Sequence, residues 1–346
     1  MSSDTSGMRR RYGLLVGSIF VAYMGFAVGL YLWRGIYFTP DRWAILLLVG
    51  ALLTGRLLSF VRDWIPFVLL IFGYEVLRGI AGTIVTAGDL SLRLRGDYPN
   101  VQLEGLIAAD RALFGGHLPT LWLQERLYDA GIVHWYDIGA LLFYSLHFVF
   151  PLLFAFALWL RVRERFWQFT LTFLFMTYSA FAIFILYPAA PPWLAYRWGQ
   201  MPGLVFPADQ AIRVIAPKRF DALDTVAIWG NASPNPVAAM PSLHAAFPWL
   251  VLLFAVRYFG RRGLLFLPYN LFLWFSVVYL SQHWVIDILA GMAWATISFV
   301  LVLWLWPAIM RGAATPLPAP LRMGIDRARA AMSRWPARFR FSFRRS

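Results

Sequence analysis

Long uninterrupted apolar runs dominate the chain. Eight can be read, at about 12–32, 43–60, 64–86, 138–160, 166–187, 245–258, 264–280 and 285–307. Most have the ~20 residues that an α-helix needs to cross ~30 Å of hydrocarbon. The expected fold class is therefore all-α: a polytopic helical membrane protein with about eight transmembrane helices. The sixth run is short, and Ser242 and His244 extend it as a partly polar turn. The second and third runs are separated only by Arg62 and Asp63, which the pattern assigns to a hairpin. The first run is too long for the apolar region of a cleaved signal, and no small-residue cleavage site follows it.

The segments between the runs divide the chain further. Residues 1–87 hold three expected spans. Residues 88–137 form a long loop with two amphipathic stretches, 103–114 and 118–127, where apolar residues recur every three or four positions. That spacing predicts short helices lying at the membrane interface. Residues 138–309 hold the remaining spans, and a Pro-rich loop at 188–241 interrupts them. Long loops of this kind often carry function. Residues 310–346 form a tail rich in Arg, Ala and Pro, expected to be disordered against anionic headgroups.

Composition strengthens the membrane reading. Hydrophobic residues make up 60% of the chain and charged residues only 14%, where a soluble domain has about a quarter. Aromatic residues gather near the ends of the runs, as interfacial belts do. Without cysteine there is no disulfide, no thiolate chemistry and no Cys-based zinc site. The net charge of +14 raises nucleic acid as a partner, but its placement argues against one. With both termini inside, nearly all the positive charge falls on inner segments, at Arg9–Arg11, Arg161–Arg165, Arg257–Arg262 and the tail. The positive-inside rule then makes 88–137 and 188–241 extracytoplasmic. The expected location is the cell membrane, with both termini cytoplasmic.

Ionisable residues inside spans are costly and call for a reason. Here they are Arg56, Glu75, Arg78, His147 and Asp287, with His244 and His283 at span edges. His283 and Asp287 are four apart, so on a helix they share a face. A carboxylate holding one imidazole nitrogen leaves the other free and more basic, which is half of a nucleophilic or general-base unit. The same pair could simply fix helix packing. Pro241-Ser242-Leu243-His244 suits a helix start, where Pro fits the first turn, Ser supplies a cap and free N–H groups favour a phosphate. A His beside such a site can protonate a leaving oxygen. An ordinary interfacial turn explains this motif equally well in isolation. In the topology above, however, His244 opens span six and His283 opens span eight from the same extracytoplasmic side.

These motifs resemble the membrane type 2 phosphatidic acid phosphatase superfamily. Its Pro-Ser-Gly-His motif is matched by Pro241-Ser242-Leu243-His244. Its Ser-Arg, five residues, His, three residues, Asp motif is matched by Ser276-Val277, five residues, His283, three residues, Asp287. The resemblance implies a six-helix catalytic core, with His283 as nucleophile, Asp287 orienting it and His244 as acid and base. It implies no metal and no cofactor. Leu243 replaces Gly, Val277 replaces Arg, and the Lys/Arg-Pro first motif gives way to Tyr187-Pro188-Ala189-Ala190-Pro191-Pro192-Trp193. That variant resembles the inositolphosphotransferase branch, which includes inositol phosphorylceramide synthases. It implies a phospholipid donor and a lipid or alcohol acceptor. A phosphatase acting on lipid or polyprenyl phosphates is the alternative, and a non-catalytic transporter or scaffold is a second.

Losing the first-motif cations leaves developing phosphoryl charge without a partner. Arg78 and His147, each about nine residues below an outer span end, are candidate substrate-binding residues beside Ser242. Arg197, Lys218 and Arg219 in the outer loop are alternatives. Arg78 could instead pair with Glu75 three residues earlier, and His147 could be a satisfied core histidine.

Overall fold

A computed structural model describes residues 40–85, 101–215 and 235–314. The expected first span, the tail beyond Ala314, Lys218 and Arg219 lie outside the described residues; 310–314, expected in the disordered tail, continue the last helix. Two compact units divide the chain, 1–302 and 303–346. The site lies wholly in the first; the described part of the second is the end of the last helix.

The described residues form twelve α-helices: α1 (Pro40–Leu53), α2 (Leu57–Val85), α3 (Glu104–Leu113), α4 (Pro119–Leu127), α5 (Trp135–Leu146), α6 (Val149–Arg161), α7 (Arg163–Leu186), α8 (Pro192–Arg197), α9 (Pro207–Ile215), α10 (Leu243–Phe259), α11 (Leu267–Tyr279) and α12 (Val285–Ala314). A 3-10 segment, Gly260–Phe266, joins α10 to α11. Extended pairing among the described residues is limited to isolated bridges, Gln102 with Ala189, Asp129 with Ile132 and Ala189 with Ala238. The all-α membrane class stands on this architecture.

Three described helices are long and apolar enough to cross a membrane: α2 over Leu57–Arg78, α7, and α12 over Val285–Gly312. The pair α5 and α6, bent by 53°, makes a fourth if counted as one broken span. With 17 residues, α10 falls short of that length, and α11 reaches it only together with the 3-10 segment before it. The α1–α2 break falls at Thr54–Arg56, where Gly55 takes φ +68°, and not at Arg62 and Asp63. Those two residues lie inside α2. Asp63 is buried there, bound by Arg62 Nε (3.1 Å), Trp159 Nε1 (3.0 Å) and Arg163. Partners from across the bundle meet its charge, so the chain does not turn to expose it.

The two amphipathic stretches of the 88–137 loop are helical, as α3 and α4, and Pro119 opens α4 at a position where a missing N–H costs nothing. His134 and Asp137 form a capping box that starts α5. The core between α2, α6 and α7 is aromatic. Trp64, Phe67, Phe156, Phe166 and Phe173 are almost wholly buried, and their rings meet edge to face or tilted.

Candidate active site

The break between α5 and α6 puts His147 beside the site. A bend inside a span frees backbone carbonyls that lipid cannot satisfy. The His147 ring meets this one, with Nδ1 2.7 Å from the Tyr144 carbonyl. Its ring centroid lies 4.0 Å from that of His244, and Tyr144 stacks on His244 at 4.9 Å.

His244 stands in the first turn of α10. Ser242 caps that helix, its hydroxyl accepting the Ala245 N–H at 3.3 Å. Ser242 is fully buried and is not among the residues lining the cavity. Its backbone N–H donates to the Asp287 carbonyl at 3.0 Å, which ties α10 to α12. The two helices cross so closely at Gly291 that a methyl group there would run into the Ser242 carbonyl. Glycine is what this approach requires.

His283 ends the turn between α11 and α12. Its Nδ1 lies 3.3 Å from Asp287 Oδ2, and its Nε2 lies 3.0 Å from His244 Nδ1. Asp287 is fully buried, and its Oδ2 also accepts the Trp284 N–H at 3.0 Å. A carboxylate on Nδ1 fixes the tautomer that leaves a lone pair on Nε2. The result is a continuous chain, Asp287 to His283 to His244, in which His283 Nε2 faces a second imidazole. Among the described residues no cluster of His, Cys, Asp or Glu could hold a metal ion.

The two histidines border a cavity of about 220 Å³ that also takes in Arg78, Tyr144, His147, Asn235 and Gln282. Its lining also includes the apolar side chains of Ile71, Phe173 and Leu174 from α2 and α7. The Arg78 charge reaches Tyr144, His147 and His244. Arg78 and His147 thus share one cavity with the His pair. Arg197 does not line it, and its guanidinium lies over the Trp193 ring. Tyr144, Gln282 and Asn235 escape a reading of the sequence, although Tyr144 lies one helical turn before His147 and Gln282 adjoins His283.

The segment that replaces the first motif runs beneath the site. Ala189 donates to Val237 (2.7 Å) and accepts from Ala239 (3.2 Å), while Ala190 donates to Gln102 (3.0 Å). Pro191, Trp193, Ala238 and Ala239 from this strip line the cavity. Where the resembled motif has cations, this chain has a backbone-zipped floor, and Arg78 enters from α2.

Comparison with known proteins agrees with this geometry. A family model described as the PAP2 superfamily matches residues 104–301. A phosphoinositol dihydroceramide synthase of Bacteroides thetaiotaomicron is 30% identical over 210 residues, covering 58% of this chain and 67% of that protein. The inositol phosphorylceramide synthase catalytic subunit of Schizosaccharomyces pombe is 29% identical, covering 58% of this chain and 47% of the relative. An inositol phosphorylceramide synthase of Candida albicans is 26% identical, over 56% and 40%. This chain thus spans less than half of the fungal relatives' length. No solved structure matches. With more than half of the sequence under the family model, and with both histidines and Asp287 inside the matched residues, the chain belongs to the PAP2 superfamily.

Proposed function

We propose that the protein is a lipid phosphotransferase that moves a phosphoinositol-type headgroup from a phospholipid to the hydroxyl of a ceramide-type acceptor through a phosphohistidine at His283. The observation that carries this reading is the Asp287–His283–His244 chain at 3.3 and 3.0 Å, set in a cavity whose lining combines Arg78 with apolar side chains. The names of the relatives supply the headgroup and acceptor class.

His283 Nε2 attacks phosphorus, and the bond from phosphorus to the diacylglycerol oxygen breaks. His244, entering as the imidazolium, gives its proton to that oxygen. In the second half the acceptor hydroxyl returns a proton to His244 and attacks phosphorus, and the P–N bond breaks. Asp287 holds His283 Nδ1–H and stabilises the positive charge that develops on the ring. Arg78 faces the non-bridging phosphoryl oxygens, where a fixed cation is worth most once water is excluded. His147 Nδ1 is committed to the Tyr144 carbonyl, so its Nε2 is the atom turned to substrate or to His244. Ser242 acts by holding the first turn of α10. No metal or cofactor takes part in this scheme.

The reading includes a topology with both termini in the cytoplasm, in a cell membrane, and the site opening on the extracytoplasmic leaflet. The concentration of Arg on one set of connections supports it. Residues 138–309 form the catalytic core, 1–87 the preceding spans and 88–137 an extracytoplasmic loop.

The test uses purified protein in detergent, phosphatidylinositol labelled in the headgroup and a ceramide acceptor. Wild type should place label on ceramide, and His283→Ala should not. Free inositol phosphate released at the same rate without acceptor would make the protein a hydrolase. Transfer that survives in His283→Ala would remove His283 as nucleophile. No turnover with either protein would favour a transporter or scaffold.

A further inference from the structure

The turn that presents His283 is not self-supporting. Ser281 takes φ +63°, a conformation that costs a side-chain-bearing residue energy unless its surroundings impose it. The α12 helix that follows begins with backbone N–H groups that have no intrahelical acceptor. The residue at its N-cap position is Trp284, whose indole offers no oxygen. Asp287, three residues on, accepts the Trp284 N–H in the manner of a capping box, but the reciprocal half from the N-cap side chain is missing.

Another part of the chain supplies an acceptor for this first turn, at N1 and N2 rather than N3. Asp110, fully buried on α3, accepts the Val285 N–H at 3.0 Å and the Ile286 N–H at 2.9 Å. Gln124 on α4 holds the strained turn itself. Its Nε2 lies within hydrogen-bond distance of the Tyr279 carbonyl (2.8 Å), the Ser281 hydroxyl (2.9 Å) and the Val205 carbonyl (3.1 Å), which share its two N–H bonds, and its Oε1 accepts the Val205 N–H at 3.1 Å. Trp284 Nε1 donates to the Ala190 carbonyl at 2.7 Å, and Trp193 N–H donates to the Ser281 carbonyl at 3.0 Å.

We propose that Asp110 is a positioning residue for catalysis: a helix cap supplied from the amphipathic loop, which keeps Asp287 committed to His283. The argument rests on competition for acceptors and on the nucleophile assigned above. Asp287 Oδ2 serves both His283 and the Trp284 N–H, while its Oδ1 is buried without a hydrogen-bond partner. Once the Asp110 carboxylate is gone, the half-buried Val285 and Ile286 N–H groups turn to the neighbouring anion, Asp287, on their own helical turn. Rotation of Asp287 towards them takes it off His283 Nδ1, and the imidazole loses its tautomer and its aim. Burial pushes the Asp110 carboxyl up from the ordinary carboxylate range, against the pull of its two N–H donors. The site therefore holds a desolvated acceptor at some cost, as a dedicated cap does. The loop helices thereby become part of the active site without touching substrate.

The test compares wild type, His283→Ala and Asp110→Asn as full-length purified protein, with labelled phosphatidylinositol as donor and ceramide as acceptor. In Asp110→Asn, kcat and the single-turnover rate of phosphohistidine formation should fall on the order of 10–100-fold, as a small misplacement of reacting groups does. KM for the donor should stay within about twofold, because no substrate contact is lost. Wild-type kcat in folded Asp110→Asn would overturn the inference, and so would a raised KM at unchanged kcat. Asp110→Ser, an uncharged cap of smaller size, serves if the Asn variant does not fold: the same split supports the inference, and wild-type kcat overturns it. Transfer surviving in His283→Ala would instead sink the nucleophile assignment, and the two failures are told apart by that control.

Discussion

Asp63, near one end of the bundle, and Asp287, at the catalytic end, are both buried carboxylates on long helices, yet they are held in opposite ways. Two arginines and the Trp159 indole surround Asp63. Asp287 has an imidazole and a backbone N–H, and one of its oxygens has no partner. Strong cations saturate the first carboxylate, so it can only hold α2 to α6 and α7. The second is under-satisfied, so its interaction with His283 stays strong and directional in a site poor in competing donors. What a buried carboxylate can do is set by what is withheld from it.

Replacing each in turn should separate the two roles. Asp287→Ala should give the largest effect, a loss of kcat on the order of 10³–10⁴-fold, by analogy with the orienting carboxylate of hydrolytic triads; headgroup transfer by protein of unchanged melting temperature is the measurement. Next comes Arg78→Ala, expected to lower kcat about 10²–10³-fold, as removal of one transition-state charge partner does, and Arg78→Lys should recover part of it. An Arg78→Ala protein with unchanged turnover would leave the missing first-motif cations without a substitute. His147→Ala should cost about 10-fold, the low end of a positioned proton-handling or hydrogen-bonding group; a wild-type rate would return His147 to a role in closing the α5–α6 break. Asp63→Ala should leave kcat per folded molecule unchanged. Its cost is stability, about 1–3 kcal/mol, because Trp159 Nε1 loses a buried partner while the half-exposed Arg62 and Arg163 reach water. A catalytic defect there would erase the contrast between the two carboxylates.

Much of the site was legible in the sequence because its chemistry is local. His283 and Asp287 face each other through helical spacing alone, and Pro241-Ser242 opens a helix by its own turn chemistry. Placing Arg78 and His147 beside them needed only the depth of each within its span. Ser242 is legible as a cap, and a cap and an anion site share the same sequence signature; the structure shows the cap. The misplaced α1–α2 break has a similar cause. A charged pair inside an apolar run reads as a turn, and the partner that makes it tolerable, Arg163, lies 100 residues away. Asp110 and Gln124 sit in the two amphipathic stretches, where periodicity alone marks no role for them. Their acceptors and donors are 81 to 176 residues distant, a separation no periodicity encodes.

The contact at Gly291 carries one further consequence. Because the α10–α12 crossing is backbone against backbone, the spacing of the two helices at the site is set by a joint with no side chain to compress or rotate. Close-packed atoms transmit strain without absorbing it. Changes in bilayer thickness or lateral pressure that tilt these helices must therefore move them as one body, and the reacting pair rides along unaltered. The membrane can govern how lipids arrive at this site while leaving the chemistry, once they are there, indifferent to it.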